Sequence, residues 1–555
     1  MEINTYELAK ALGIPESTLR AAAIRVSQNP VSNAFAEAAK ADATQNPFAT
    51  AARADPTHTS TENGAQALKT TSDARLDLFS VIGALRTADD ERLIRLFENA
   101  YAMDPLFATK ILFYGRDIRG GLGERKTFRT LLKYAAQRHP EAIKPNIDLI
   151  GLYGRYDDLY ELIGTPLEDD MWTAMKKQWN MDILAMKRGE AVSLLGKWVK
   201  TADASSKKTR KLGILTAQKL GLSVYDYKRQ YRALRKHIGV VEQLMSQNRW
   251  DEIKYPEVPS RAMTLYRDAF KRHDEERFVG YLEKVTSGEE KIHAGALYPY
   301  DLVKKYIWSG RFVQNPDPVV EAQWQQMLKD YGESLESAIV ISDTSGSMFC
   351  DGNMPIASSL ALGLLFASVN QGPYHGLFME FSTRSDFIQI KGATLLDQLR
   401  NMMADAYWGQ STNLEGAFEK ILDVALVNGV SCDDMPKALV VISDMEIDGC
   451  LHDHWREDGD WSFHDRMAKR FASMGYSMPT VIYWNVNSRH DIYHADADRP
   501  GCVLVSGHSA STFKQVLKCI NMTPIEAMEE IINSERYQPV TIGVAPHSGR
   551  FTWGE

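Results

Sequence analysis

Two hydrophobic periodicities divide this chain. From about residue 76 to residue 284, apolar residues recur at three- and four-residue spacing, which is the mark of a helix with one buried face. Leu76–Leu85, Glu91–Tyr101, Pro105–Phe113, Thr127–Gln137, Asp157–Ile163, Trp172–Lys187, Val224–His237, Val240–Gln247, Arg261–Arg272 and Glu276–Lys284 all read this way, with caps and breakers between them. Successive helices on short loops predict an α-solenoid or a bundle. No repeat of fixed period is present, so a solenoid would be degenerate. Beyond Ser337 the pattern changes. Apolar strand runs at Ser337–Ser342, Leu377–Ser382, Phe387–Lys391, Ala438–Ser443, Thr480–Trp484 and Cys502–Ser506 alternate with helical runs at Ile356–Asn370, Leu395–Met403, Leu414–Leu426, Phe463–Met474 and Ser511–Ile520. That alternation predicts a doubly wound α/β sheet built from parallel βαβ units.

The boundaries follow from these patterns. Residues 1–60 form an N-terminal appendage and linker, 61–330 the helical region, 337–523 the α/β domain and 524–555 a tail. Tyr6–Leu12 and Glu16–Val26 read as a short helical pair, either a small helix-turn-helix or a plain appendage. Gln28–Gly64 is rich in Ala, Thr, Ser and Asn and reads as loop. The Pro-bearing stretch Asn315–Pro318 is the expected linker into the α/β domain, and the pattern after Pro524 does not choose between the two regions.

Candidate chemistry begins where the first α/β strand ends, at Asp343-Thr-Ser345-Gly-Ser347. This turn offers one carboxylate and two hydroxyls, hard oxygen donors that suit Mg²⁺ (or Mn²⁺) rather than zinc or copper. Downstream, Thr412 precedes the helical run from Leu414, and Asp444 closes the strand Ala438–Ser443. Asp343, Ser345, Ser347, Thr412 and Asp444 thus fall at strand ends and a helix start, where α/β sheets bind ligands. In this order the five residues resemble the metal-ion-dependent adhesion site (MIDAS) of von Willebrand factor A (vWA) domains. The resemblance implies a binding module with an open metal position that a partner carboxylate or a phosphate oxygen fills. One departure is the run Asp444-Met-Glu446-Ile-Asp448, where many vWA domains carry Gly after the last Asp. Its two extra acids either change metal affinity or face solvent.

Composition narrows the setting. With 555 residues, 44% hydrophobic and 25% charged, the chain reads as soluble, globular and multidomain. It has no run of 18 apolar residues and no signal-like N-terminus, so no membrane association is expected. The cysteines at 350, 432, 450, 502 and 519 lack C-x-x-C spacing and read as reduced thiols of a cytoplasmic protein. Charge is unevenly spread. Residues 337–523 hold 22 acids against 13 bases, whereas Lys200–His237 holds 11 bases against two acids. That basic stretch is the candidate polyanion-binding surface. Lys228, Arg232, Arg235 and Lys236, with Arg229 beside them, form one face of the helix Val224–His237. Leu234 and Tyr231 face the core, and Tyr227 lies near the boundary. The other reading of this face is a solvated one. Lys207, Lys208, Arg210 and Lys211 sit in a Ser/Thr-rich loop and would touch phosphates without reading bases.

A further candidate is the glycine-rich turn Arg116-Asp-Ile-Arg119-Gly-Gly-Leu-Gly-Glu-Arg125-Lys126, ahead of a helix expected near Glu124. Free amides there, beside Arg119, Arg125 and Lys126, would cradle a phosphate. Alternatively, Arg116, Asp117 and Glu124 lock a helix corner through ion pairs. His452, Asp453, His454, Asp458, Asp460, His464 and Asp465 crowd one loop, as a second metal site or as polar surface. Tyr407 and Trp408 either flank a ligand or cap the sheet. No general base or two-metal cluster is placed, so the expectation is a protein that is not an enzyme.

Phe113–Arg125 resembles the signature of an uncharacterised family that joins a helical region to a vWA domain. Thr61–Gly64, Tyr153–Asp158, Lys197-Trp198, Tyr231–Arg235, Val258–Ser260 and Tyr298–Tyr300 are similar too, so the likeness runs from about residue 60 to residue 520. That family in turn resembles, in architecture, the Ro autoantigen (TROVE) proteins, which join a ring of HEAT-like repeats to a vWA domain. The resemblance implies a Ro-like ribonucleoprotein component that binds structured or single-stranded RNA, with an acidic protein partner at the metal site, and Arg116 joins the basic residues named above as a candidate RNA contact. The alternative is a protein–protein adaptor that acts through the metal site without RNA.

Overall fold

The computed structural model describes residues 58–308, 311–332, 337–370, 372–381, 385–405, 412–448 and 463–543. The expectations for Tyr6–Leu12, Glu16–Val26, Tyr407, Trp408, Cys450 and most of the 452–465 loop lie outside these residues. The chain divides after His58, and residues from Thr59 onward form one unit, to which everything below except His58 itself belongs.

The helical region opens with the short strands β1 (His58–Ser60) and β2 (Gln66–Leu68). Helices α1 (Ala74–Val81), α2 (Asp90–Met103), α3 (Pro105–Arg116), α4 (Lys126–Arg138), α5 (Ile147–Tyr153) and α6 (Glu168–Lys187) follow. Their starts are written in the sequence. Asp73, Asp89 and Asp104 each accept backbone N–H bonds as N-caps, and Pro105 occupies the first turn of α3, where no donor is needed. Next come α7 (Lys207–Leu220), α8 (Val224–Ile238), α9 (Ser260–His273), α10 (Glu275–Ser287), α11 (Pro299–Tyr306) and α12 (Pro318–Tyr331). Two expectations change here. Pro318 is not in a linker but starts α12, with Asp317 as its N-cap. Lys207–Lys211 is not loop but the first turn of α7, capped by Ser206.

The second half carries a six-stranded sheet. Its strands are β3 (Ala338–Asp343), β4 (Leu377–Phe381), β5 (Phe387–Gln389), β6 (Ala438–Ser443), β7 (Thr480–Asn485) and β8 (Cys502–Ser506), in the order β8-β7-β6-β3-β4-β5. All pairings are parallel except β4 with the edge strand β5. Every residue of β3, β6, β7 and β8 is buried, which is why these strands read as unbroken apolar runs. From β3 the chain moves first to β4 on one side and later to β6 on the other. The crevice at the carboxyl ends of β3 and β6 is therefore the switch point of the sheet. The architecture is thus multidomain, helical and then α/β. No helix among the described residues is long and apolar enough to cross a membrane.

The two halves share a core. Helix α13 (Met354–Val369) is buried almost all round, with α11 of the helical region against it as well as β3. Gly83, after α1, meets Gly507, after β8: a Cβ at Gly83 would lie 2.7 Å from the Gly507 Cα. Gly83→Ala is expected to destabilise the protein by about 1–3 kcal/mol through overpacking. Gly280→Ala on α10, where a Cβ meets nothing within 4 Å, should be neutral or mildly stabilising, and urea melts of the two variants check both.

The segment after Pro524 is not a free tail. Helix α18 (Pro524–Ile532), the last after α14 (Leu395–Asp405), α15 (Leu414–Asn428), α16 (Phe463–Ser473) and α17 (Ser511–Val516), packs on α1, α3 and β8. Beyond it Tyr537 is fully buried; its hydroxyl donates to Asp117 (3.0 Å) and Arg536 Nη2 to the other Asp117 oxygen (2.6 Å).

Candidate metal centre and basic surfaces

At the sheet switch point the sequence set is largely brought together. Asp343, fully buried, accepts the Ser345 amide at Oδ1 (2.8 Å) and the Ser443 hydroxyl at Oδ2 (2.5 Å). The Ser345 and Ser347 hydroxyls are 3.0 Å apart, and Ser347 also bonds the Asp444 carboxylate. Asp444 accepts the Glu446 amide at Oδ1 (3.2 Å) and Arg489 Nη2 at Oδ2 (3.2 Å). Burial, and then the neighbouring charge of Asp444, push Asp343 up to about 7. Burial also raises Asp444, against the opposing pull of Arg489.

Thr412 is the exception. Its hydroxyl lies 3.0 Å from the Glu446 carbonyl and 3.0 Å from Asp448 Oδ1, and its amide donates to Asp448 Oδ2 (2.6 Å). It is fastened to the loop after Asp444 rather than to the other four side chains. That loop also corrects the solvated reading of its acids. Glu446 is 2% exposed, accepting the Glu62 amide (2.7 Å) and bonded to His490 Nδ1 (2.8 Å). Met445 adopts a left-handed φ of 68°, the conformation in which Gly is at ease.

The donor set fits a hard divalent cation: two carboxylates and two hydroxyls share one buried corner, with a third hydroxyl on the adjoining loop. Among the described residues no three His, Cys, Asp or Glu side chains gather as a metal-binding group, so the carboxylates would have to act together with the hydroxyls. Sequence reading missed Ser443, Arg489, His490 and the docking of Thr61–Gly64. The available signal was position, since Ser443 ends β6 and Arg489 follows β7, both at the carboxyl edge of the sheet.

The glycine-rich turn is a structural corner. The amides of Gly121 and Gly123 donate to the Asp117 carbonyl, and that of Glu124 to the Gly115 carbonyl, so these three are spent within the turn, while the helix that follows carries no side-chain N-cap. The helix starts at Lys126, not near Glu124. Arg116, a candidate RNA contact, is 2% exposed and donates from Nε to Asp158 (2.7 Å). Glu124 is gripped by both Nε and Nη2 of Arg86 (2.7 Å each). The ion-pair reading therefore holds for Arg116, Asp117 and Glu124, with partners that spacing did not reveal.

Arg119, Arg125 and Lys126 are exposed and line a cavity of about 1160 Å³. Its lining carries ten Lys/Arg against four Asp/Glu, together with Trp198, Tyr266, Tyr298 and Tyr300. Behind one wall Asp157, almost fully buried, collects Arg155 (2.6 Å), Arg129 (3.2 Å), Lys200 (3.3 Å) and Arg125 (3.6 Å). Burial alone would raise its pKa, but Arg155, Arg129 and Lys200 hold it down to about 2. Arg155 also lies 3.7 Å over the Trp198 ring.

The second basic surface does not line that cavity. Lys207, Lys208, Arg210 and Lys211 are exposed on the first turn of α7, where four cations oppose the helix dipole. On α8, Tyr227 is not at the boundary but fully buried, stacked on Trp179. Tyr231 is half-buried, and Leu234 faces the core as expected. Lys228 and Arg232 both pair with Asp203, Arg229 with Asp226 (3.0 Å), and Arg235 Nη1 donates to the Tyr231 hydroxyl (2.9 Å). Lys236 is exposed.

Comparison with known proteins follows the same division. Residues 337–543 match a family model described as a domain of unknown function (DUF7788). Residues 61–186 and 156–334 match a second, also described as a domain of unknown function (DUF2828). The two meet between α12 and β3. An "Uncharacterized protein" of Acanthamoeba polyphaga mimivirus is 27% identical over 524 residues, covering 87% of this chain and 88% of that one. The likeness therefore spans both halves joined in one chain.

Proposed function

We propose that this is a non-catalytic, Ro-like RNA-binding protein whose helices act as HEAT-like repeats and whose α/β half is a vWA-type domain. The observation that carries the reading is the cavity, whose lining is basic beyond what its own acids and the Asp157 and Asp158 behind it offset, with aromatic rings interleaved. Such a wall tracks a phosphate backbone and stacks unpaired bases, the requirements of single-stranded RNA. The exposed cations of α7 and α8 extend the positive field to structured RNA outside the cavity. At the sheet edge Asp343, Ser345, Ser347 and Asp444 would hold Mg²⁺ or Mn²⁺, with Thr412 on the adjoining loop. The bound ion would offer an open position to an acidic side chain of a partner or to an RNA phosphate.

Filter binding to a structured RNA with a single-stranded tail, across a salt series with and without Mg²⁺, tests this. Affinity should fall steeply with salt. Arg125→Glu with Lys126→Glu, at two exposed cavity positions, should cost about 10–100-fold and flatten the salt slope by about 1–2. Asp343→Ala should leave RNA affinity measured without Mg²⁺ unchanged. No binding at low salt would sink the reading. An adaptor that acts through the metal site alone is the second reading. It draws support from Asp203, which already neutralises part of the α8 stripe through Lys228 and Arg232.

A further inference from the structure

Arg489 lies between two carboxylates. Its Nη2 is 3.2 Å from Asp444 Oδ2 and its Nη1 is 2.8 Å from Glu62 Oε2. Asp444 is buried, whereas the Glu62 side chain is 47% exposed and Arg489 31%. The segment that carries Glu62 is tied to the loop after Asp444. Thr61 Oγ1 donates to the Ile447 carbonyl (2.5 Å), Asn63 Nδ2 to the Glu446 carbonyl (2.7 Å), and Gly64 forms a bridge with Asp448. The Glu62 position is thus fixed by its backbone, while its carboxylate reaches back to Arg489.

The guanidinium spends one nitrogen on each carboxylate, and its buried Nε has no hydrogen-bond partner. A guanidinium binds a carboxylate best through two parallel N–H bonds. The bridging arrangement forgoes that on both sides.

We infer that Arg489 is the resident counter-ion of the candidate metal centre, displaced from Asp444 when a divalent cation binds, and that Glu62 is the group that receives it. The inference rests on the metal-centre reading above. A divalent cation on Asp444 repels a guanidinium on the same carboxylate. Arg489 needs no new partner to leave, because Glu62 already holds one of its nitrogens and can accept a second. Asp444 and Glu62 are then alternative seats for one cationic side chain, and the Thr61–Gly64 segment becomes a positioning element for metal affinity. Arg489 and Glu62 are positioning residues, since neither touches the metal.

The test is Mn²⁺ titration by calorimetry of the full-length protein at pH 8, with folding checked by circular dichroism. Arg489→Gln removes the competitor and is expected to tighten Mn²⁺ about tenfold. Glu62→Gln removes the alternative seat and should weaken Mn²⁺ about three- to tenfold. With Arg489 already replaced, Glu62→Gln should have little further effect, because the other partner of its carboxylate is His490 at 3.6 Å and not Asp444. Should Arg489→Gln fold poorly, Arg489→Met carries the test, because it keeps the apolar stem, removes the charge and is expected to tighten Mn²⁺ in the same way. Asp343→Asn separates the two ideas. If the wild type binds Mn²⁺ no better than Asp343→Asn, the metal centre itself is wrong and the inference falls with it. If Asp343→Asn abolishes binding while Arg489→Gln leaves it unchanged or weaker, the metal centre stands and the counter-ion role is overturned.

Discussion

Replacing Asp158 by Ala is expected to cost about 3–5 kcal/mol of folding stability, the usual penalty for removing one partner of a buried ion pair. Asp158 is fully buried and receives Arg116 Nε at 2.7 Å, Arg129 Nε at 2.6 Å and the Arg155 amide at 3.0 Å. Without it the Arg116 guanidinium, 2% exposed, stays among the apolar side chains of α3 with only Glu124, already held by Arg86, as a neighbouring anion. Arg129 also loses its closest partner. The contrast is Arg232→Ala, whose ion pair with Asp203 is at the surface and should cost no more than about 1 kcal/mol. Urea melts of both variants give the comparison directly. Equal, small losses would mean that Arg116 finds water or another acid, and would remove the basis for treating the Gly120–Gly123 turn as a structural corner.

Metal affinity should depend on pH in a defined direction. Burial and Asp444 raise Asp343 to about 7, against about 3.9 for an aspartate in an unfolded chain. The folded state therefore holds this proton more tightly than the unfolded state. Its contribution to stability is fully present below about pH 4 and is lost as pH rises through about 7. A divalent cation needs the ionised carboxylate, so it must compete with the proton below neutrality. Mn²⁺ should bind about tenfold more weakly at pH 6 than at pH 8. Its stabilisation of the protein in thermal melts should grow over the same interval. Asp343→Asn should abolish binding and flatten this part of the stability profile. Wild-type affinity that does not change between pH 6 and 8 would place the cation elsewhere.

The α/β half was the more legible part of the chain, for a physical reason. A strand buried on both faces must be apolar along its whole length, so β3, β6, β7 and β8 stand out, and acids at their ends mark the edge where ligands bind. Asp343 and Asp444 were found that way. What the sequence concealed depends on contacts between distant segments. Glu446 and Asp448 look solvated until Thr61–Gly64 is seen to cover one and bridge the other. Arg116 looks like a surface cation until Asp158, 42 residues on, is found beside it. Helix α7 escaped because its first turn is Lys-Lys-Thr-Arg-Lys, the reverse of the acidic start that favours a helix. Tertiary packing of Gly213, Thr216, Ala217 and Leu220 outweighs that local preference. The cavity is hardest to read from sequence, because its wall draws on Arg86, Arg125, Arg155, Lys197 and Arg261, which no single periodicity connects.

The return of the segment after Pro524 to the helices around Asp117 has a consequence for how the molecule is made. Asp117 sits between α3 and α4, yet the side chains that satisfy its carboxylate, Arg536 and Tyr537, are synthesised about 420 residues later. Thr541 and Gly543 likewise close hydrogen bonds with Asn146 and Glu141. On the ribosome the early helices can collapse but cannot complete their polar interior, because the missing partners have not yet been translated. The corner at Asp117 is therefore completed only after Arg536 and Tyr537 have been translated.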